Sequence, residues 1–129
     1  MPSFRDTAVS VAPPEEVWKL LYDPAQFPHW WAGIETVEVG PEGSFTMYPD
    51  GYPDFPMAQL LETRREENRV TVSCLVSDLR FDWRLADTAD GTEITVEVEI
   101  PEAEAPRLEA QRDVIRRSLR RLAELAGTS

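Results

Sequence analysis

Three segments in which apolar residues recur at every second position constrain the fold more than any other feature of this sequence. This period is that of a β-strand with one buried face. The apolar positions are Val70, Val72, Cys74 and Val76, then Leu79, Phe81, Trp83 and Leu85, and finally Ile94, Val96, Val98 and Ile100. Asp90-Gly91 predicts a tight hairpin between the last two segments. We therefore expect an antiparallel sheet whose apolar face is covered by another element.

The covering element is predicted to be a helix over residues 103–126, at the end of the chain. Its apolar residues fall on one stripe at helical spacing, while most of its arginines point away from that stripe. The stripe consists of Leu108, Ile115, Leu119, Leu122 and Ala126. The sequence thus indicates an α+β fold in which a curved antiparallel sheet wraps around a long C-terminal helix. At 129 residues, we expect a single domain over 1–129.

Two short helices are predicted after a first strand at residues 4–12. Pro14 suits the first turn of a helix over 14–22, because the N–H that proline lacks would be unpaired there. Asp23 stands before a proline, a position that disfavours the α conformation and ends the helix. A second helix or turn is expected over residues 24–30. The remaining predicted strands are 34–39, 44–48 and 55–63, with a turn-rich loop over 49–54.

These features together resemble the START-related (SRPBCC) superfamily, in its polyketide cyclase/dehydrase-like branch. The resemblance is carried by the proline-started helix, by Trp30 at the usual spacing after Asp23, by the segment Gly91–Val96 and by the long final helix. It extends over nearly the whole chain. It implies a helix-grip fold built around an apolar cavity between the sheet and the last helix, and it does not name a ligand.

Composition excludes several classes of partner and location. The net charge of −11 argues against nucleic acid, because phosphate binding requires a basic surface. No apolar run is long enough for a membrane span, and no signal peptide is visible. One cysteine cannot form an internal disulfide, so we expect a cytoplasmic protein. The arginines of the last helix fit either a solvated face paired with acids or a docking surface for an acidic partner.

The predicted cavity would be lined by large apolar side chains with one or two polar groups that orient a ligand. The candidate ligand-binding residues are Trp30, Phe45, Met47, Met57, Phe81, Trp83, Arg112, Ile115, Leu119 and Leu122. Arg112 lies close to the apolar stripe, where its guanidinium either reaches water or holds a ligand oxygen. His29 is either an exposed loop residue or an acid–base group. Because it is the only histidine, we expect no metal site, and we expect no cofactor.

Three functions fit these observations. The first is binding of a small hydrophobic or amphipathic molecule in the cavity. The second is a cyclase- or dehydratase-type enzyme that shapes a flexible, polyketide-like substrate, although no catalytic constellation is visible in the sequence. The third is a protein-interaction module, because Trp30-Trp31 and the Gly43–Gly51 region also resemble domains that activate chaperone ATPases. A cavity with several buried polar groups would favour the enzyme, and a collapsed interior would favour the interaction module.

Overall fold

The computed structural model describes residues 3–51, 54–75 and 78–127. Its strands are β1 (Ser3–Ser10), β2 (Ile34–Val39), β3 (Ser44–Pro49), β4 (Met57–Arg64), β5 (Arg69–Cys74), β6 (Arg80–Thr88) and β7 (Gly91–Glu99). Its helices are α1 (Pro14–Leu21), α2 (Phe27–Trp30) and α3 (Leu108–Gly127), with short 3-10 segments at Pro24–Gln26, Arg65–Glu67 and Glu102–Arg107. The predicted α+β class and both short helices after the first strand are confirmed.

The seven strands form one antiparallel sheet in the order β1-β7-β6-β5-β4-β3-β2. Each strand except the first pairs with its neighbour in sequence, and β1 closes against β7. The predicted hairpin is present, since Thr88 pairs with Gly91 across a two-residue turn. A Cβ atom on Gly91 would overlap the backbone oxygen of Ser10, so only glycine fits at this position. The sheet grips α3 on its apolar face, which confirms the helix-grip fold.

The first helix begins at the predicted Pro14 and ends one residue before its predicted limit, and the helix or turn predicted over 24–30 consists of a 3-10 segment followed by α2. Pro14 is the first residue of α1, and Glu15 and Glu16 place negative charge in its first turn. The Asp23 carboxylate accepts a hydrogen bond from the backbone N–H of Ala25 at 3.1 Å, and this caps the 3-10 turn that follows. This local chemistry leads the chain from β1 into α2 and on to the sheet.

The last helix differs from its prediction at its beginning. Residues 102–107 form a 3-10 segment, and the α-helix begins only at Leu108. Pro106 lies inside the 3-10 segment and has no N–H to donate to a helical ladder, which explains the late start. The strand predicted to reach Val76 ends at Cys74, and Val76 lies outside the described residues. Tyr52 and Pro53 of the predicted loop also lie outside them.

Buried hydroxyl groups fix α3 to the rest of the fold. The Ser10 hydroxyl, at the end of β1, donates a hydrogen bond to the carbonyl of Ala123 at 2.8 Å. The Ser118 hydroxyl accepts a hydrogen bond from the backbone N–H of Ala32 at 2.9 Å and donates one to the carbonyl of Val114 at 2.7 Å. Because buried polar groups are costly unless they are paired, these bonds favour one position of the helix on the sheet.

Within the described ranges, no helix has the length and apolar composition that crossing a bilayer requires.

Charged side chains occupy the outer face of the sheet, opposite α3. The carboxylate of Asp82 accepts hydrogen bonds from Arg69 at 2.8 and 3.0 Å and from Arg84 at 3.0 Å. Burial raises the pKa of Asp82, but the hydrogen bonds from the two arginines outweigh burial and hold this pKa below its ordinary value. In the same pair, the hydrogen bond to Asp82 raises the pKa of Arg69. This network joins the neighbouring strands β5 and β6 on the side that faces water.

Candidate functional site

A cavity of about 530 Å³ opens between the sheet and the beginning of α3. Strands β3, β4 and β5 form one wall, and the 3-10 segment and first turns of α3 form the other. The residues that line it are Trp31, Ala32, Gly33, Ile34, Met47, Pro49, Phe55, Met57, Gln59, Cys74, Leu79, Phe81, Glu104, Arg107, Gln111 and Val114. The cavity therefore lies under the part of the last helix where the proline delays the α conformation.

The wall formed by the sheet is mostly apolar. Met47 on β3 is paired directly with Met57 on β4, and these two flexible side chains lie next to each other on the cavity wall. Phe81 and Leu79 continue this surface from β6 and the residue before it, and both are buried. Phe55 lies on the loop before β4 with 57% of its surface exposed, at the open side of the cavity. Such walls suit an apolar or amphipathic molecule rather than a small ion.

Polar groups are few and differ in depth. Gln59 is only 1% exposed, and its Nε2 donates a hydrogen bond to the carbonyl of Met57 at 3.3 Å. Its Oε1 atom is buried and has no hydrogen-bond partner among the described residues. Gln111 is half-buried on α3, while Arg107 is exposed and donates a hydrogen bond to Glu104 at 3.4 Å. The cavity thus has one amide at depth and a charged pair near solvent.

The structure brings together only some of the residues that the sequence placed at the cavity. Met47, Met57 and Phe81 lie on its wall. The others are elsewhere in the apolar interior: Trp30, Phe45, Trp83, Ile115 and Leu122 are all buried within the core. Leu119 borders a separate surface groove between β1 and α3. The predicted set therefore divides between the cavity and the packed part of the core.

Aromatic rings explain this division. Phe27, Trp30, Trp31, Phe45, Phe81 and Trp83 form one aromatic cluster, with ring centroids of contacting pairs 5.0–5.5 Å apart. Most of these pairs meet edge to face or tilted, which are favourable arrangements for aromatic rings. Trp31 and Phe81 belong to both the cluster and the cavity wall. The cluster joins α2 to β3 and β6 and belongs to the same buried core as Ile115 and Leu122 of α3, and the cavity begins at Trp31 and Phe81.

The two polar candidates from the sequence both lie away from the cavity wall. His29 is exposed on α2. Arg112 is exposed, and its guanidinium lies over the ring of Phe4 at 5.5 Å from the ring centroid. Of the two interpretations of Arg112, this contact fits the one in which the side-chain stem follows the edge of the sheet and the guanidinium reaches water. Among the described residues, no three His, Cys, Asp or Glu side chains are grouped closely enough to hold a metal ion.

Sequence reasoning missed Gln59, Gln111 and the charged pair of the 3-10 segment. A signal for Gln59 was present, because it shares strand parity with Met57 and Leu61 and so belongs to the buried face of β4. A polar residue at such a position is more informative than another apolar one. No comparable pattern marks Glu104 or Arg107, because their position depends on how the 3-10 segment crosses the open end of the sheet.

Comparison with solved structures shows the same fold in other proteins. The aromatase/cyclase Zhui from Streptomyces sp. R1128 is 16% identical at a TM-score of 0.81, with 97% of this chain and 93% of that chain covered. A Chromobacterium violaceum protein is 22% identical at a TM-score of 0.75, with 98% and 99% covered. The di-domain ARO/CYC protein BexL, from the BE-7585A biosynthetic pathway, is 16% identical at a TM-score of 0.76, with 96% of this chain and 46% of that chain covered. At these identities the likeness shows a shared fold.

Comparison of sequences gives the family. No curated protein matches the chain. Residues 1–127 match the family described as polyketide cyclase/dehydrase and lipid transport. This match extends from β1 to the end of α3, so it includes the sheet, both short helices and every residue that lines the cavity. The chain therefore belongs to the polyketide cyclase/dehydrase and lipid transport family, within the START-related superfamily that its sequence resembled.

Proposed function

We propose that this protein binds a small hydrophobic or amphipathic molecule in the cavity between β3, β4, β5 and the beginning of α3. The observation that carries the proposal is the cavity itself, with a volume of about 530 Å³ and mostly apolar walls. Ligand pockets of proteins commonly have volumes of roughly 300–1,000 Å³ and similar walls. The description of the family, which includes lipid transport, supports the same conclusion.

Apolar contact would supply most of the affinity. Each Å² of ligand surface removed from water contributes about 25 cal/mol before the costs of ordering are subtracted. Met47 and Met57 adapt to ligands of different outline, since a methionine side chain has three rotatable bonds and a polarizable sulfur atom. Trp31 and Phe81 offer rigid aromatic surface against which a flat molecule can stack.

Binding fits the cavity better than catalysis does. Among the described residues that line the cavity, Gln59 is the one fully buried amide or charged side chain, and Glu104 and Arg107 lie closer to solvent. General acid–base chemistry needs a titratable group within hydrogen-bond reach of the reacting atoms. A deep amide and a peripheral ion pair orient a ligand more readily than they move its protons.

A titration with the neutral dye Nile red tests the proposal. Its fluorescence should rise and shift to the blue on addition of protein and should saturate near one equivalent. Tryptophan emission should fall at the same time, because Trp31 lies on the cavity wall. Absence of saturable binding would contradict the proposal.

Two variants locate the dye. Val114→Trp places an indole on the cavity wall and should abolish binding. Ala123→Trp makes the same type of change at another half-buried position of α3, in the groove against β1, and should leave binding intact. Circular dichroism would check that both variants fold. Normal binding by Val114→Trp, or equal loss in both variants, would place the dye outside the cavity.

The second candidate is a cyclase-type enzyme. Three of the structural neighbours are aromatase/cyclase or ARO/CYC proteins by name, and one of them has the TM-score of 0.81 given above. The cavity could favour one folded conformation of a flexible poly-β-ketone chain and so promote ring closure by proximity. Mass spectrometry of a poly-β-ketone surrogate incubated with the protein would detect loss of water on cyclisation and aromatisation. If the wild-type protein and Val114→Trp formed equal amounts of product, a role for the cavity would be ruled out.

A further inference from the structure

The amide of Gln59 is a buried polar group of the cavity wall whose hydrogen-bonding capacity the described residues satisfy only in part. Its neighbours across the sheet are Phe45 on β3 and Cys74 on β5, and the next residues of the same face are Met57 and Leu61. The amide nitrogen has a partner, the carbonyl of Met57, whereas the amide oxygen has none among the described residues. The residue is nonetheless more than nine-tenths buried, at 1% exposure.

An unpaired buried acceptor weakens a fold, because the oxygen loses its hydrogen bonds to water and gains none in return. Methionine has nearly the same length and shape as glutamine and would fill the position without that loss. The other residues of this face near the cavity are apolar or sulfur-containing, so a thioether would agree with its surroundings. The presence of a glutamine at position 59 is explained if a bound ligand donates a hydrogen bond to its amide oxygen.

We propose that Gln59 is a specificity-determining residue, whose amide oxygen accepts a hydrogen bond from a hydroxyl or N–H group at the inner end of the ligand. This inference rests on the proposed binding function and narrows the ligand class. The ligand is an apolar molecule with one buried hydrogen-bond donor, rather than a plain hydrocarbon or a molecule with only acceptor groups. A site built to pair a polar group discriminates strongly against an analogue that lacks it, because the group of the protein is then left unpaired.

Two probes of similar shape test the inference, namely 2-naphthol and 2-methylnaphthalene. They differ by a hydroxyl group in place of a methyl group. Dissociation constants for both would be obtained by displacement of Nile red from the wild-type protein and from Gln59→Met. The quantity of interest is the ratio of the two constants, because hydrophobicity affects this ratio equally in both proteins.

The Gln59→Met substitution should shift the preference away from 2-naphthol by about ten-fold, the size of one hydrogen bond to a buried amide. Gln26→Met is the matched control, since Gln26 is a half-buried glutamine of the 3-10 segment before α2 and does not line the cavity, and its ratio should equal that of the wild type. Thermal unfolding would show whether Gln59→Met is at least as stable as the wild type, as removal of an unpaired acceptor predicts.

The outcomes separate the two proposals. If both probes displace the dye and the ratio is the same in wild type and Gln59→Met, cavity binding stands and the role of Gln59 is wrong. If Gln26→Met shifts the ratio as much as Gln59→Met does, the shift does not come from the cavity amide and the role of Gln59 is again wrong. If neither probe displaces the dye and the dye itself does not bind, the proposed function fails and this inference fails with it.

Discussion

The two halves of the interior are built from different side chains. In the half below α2 and the second part of α3, the aromatic cluster shares one buried core with Ile115, Leu119 and Leu122, all at most 2% exposed. In the other half, Met47 and Met57 face the 3-10 segment and the first turns of α3 across the cavity. The large, rigid aromatic rings fill the first half. In the second half, α3 begins only at Leu108, and the space between it and Met47 and Met57 stays open. Trp30 and Trp83 therefore mark the packed half, and the cavity lies beside them, beginning at Trp31 and Phe81.

The largest expected effect concerns the free energy of unfolding in the packed half. Leu119→Ala should lower it by about 2–5 kcal/mol, because the side chain is buried at 2% exposure and leaves a hole that cannot collapse fully. Val114→Ala, five residues earlier on α3 and at the cavity, should lower it by less than about 1 kcal/mol, since Val114 is half-buried and alanine favours the helix. Urea titrations of both variants would measure the difference. Equal losses would mean that the two halves are packed alike.

A smaller effect is expected inside the aromatic cluster. Trp30 and Trp83 are both fully buried, but only the Trp30 indole N–H has a partner, the carbonyl of Leu20 at 2.9 Å. The Trp83 indole N–H has none among the described residues. Trp30→Phe should therefore lower the free energy of unfolding by about 1–3 kcal/mol more than Trp83→Phe, because both changes remove the same atoms and only the first breaks a hydrogen bond. A larger loss for Trp83→Phe would show that its N–H is paired.

The smallest expected effect is a pH dependence of the stability, and it arises outside both halves, on the outer face of the sheet. The folded pKa of Asp82 is lower than the ordinary value of 3.8, so its carboxylate stabilises the fold above that value. This stabilisation is lost as the pH falls through 3.8 towards the lower folded pKa. The difference in melting temperature between wild type and Asp82→Asn should therefore be largest near neutral pH and should shrink in acid.

Nile red binding provides the control for this variant. Because Asp82 points away from the cavity, Asp82→Asn should bind the dye as the wild type does. Weaker binding by Asp82→Asn would mean that the outer face and the cavity are coupled. A difference in melting temperature that grows in acid would mean that the two arginines do not govern the Asp82 carboxylate.

Much of the fold could be predicted from local chemistry. Period-two alternation identified the central strands, and Pro14 and Asp23 gave the limits of the first helix within one or two residues. The apolar stripe of the last helix identified the side that faces the sheet. These features follow from residues near one another in sequence, and the resemblance to the START-related superfamily then supplied the arrangement of the elements.

The position of the cavity could not be predicted in the same way. Strand parity places Phe81 and Trp83 on one face, but it does not say that Trp30 and Trp31 fill the space above them. That contact depends on how α2 sits on the sheet, which involves residues about fifty positions apart. The late start of α3 was available from Pro106, yet its consequence, an open space over Met47 and Met57, appears only when the helix is placed on the sheet.

Methionine methyl groups give the most direct test of the central claim, that a ligand occupies the half beside the aromatic cluster. The chain has three methionines; Met47 and Met57 line the cavity, and Met1 lies outside the described residues. Protein labelled with ¹³C at the methionine methyls and ¹⁵N at the indoles would be titrated with 2-naphthol, with assignments from Met47→Leu and Met57→Leu. The account predicts nuclear Overhauser contacts from the ligand to both cavity methyls and none to the indole N–H of Trp30 or Trp83. Contacts to those indoles, with unchanged methyl signals from Met47 and Met57, would contradict it.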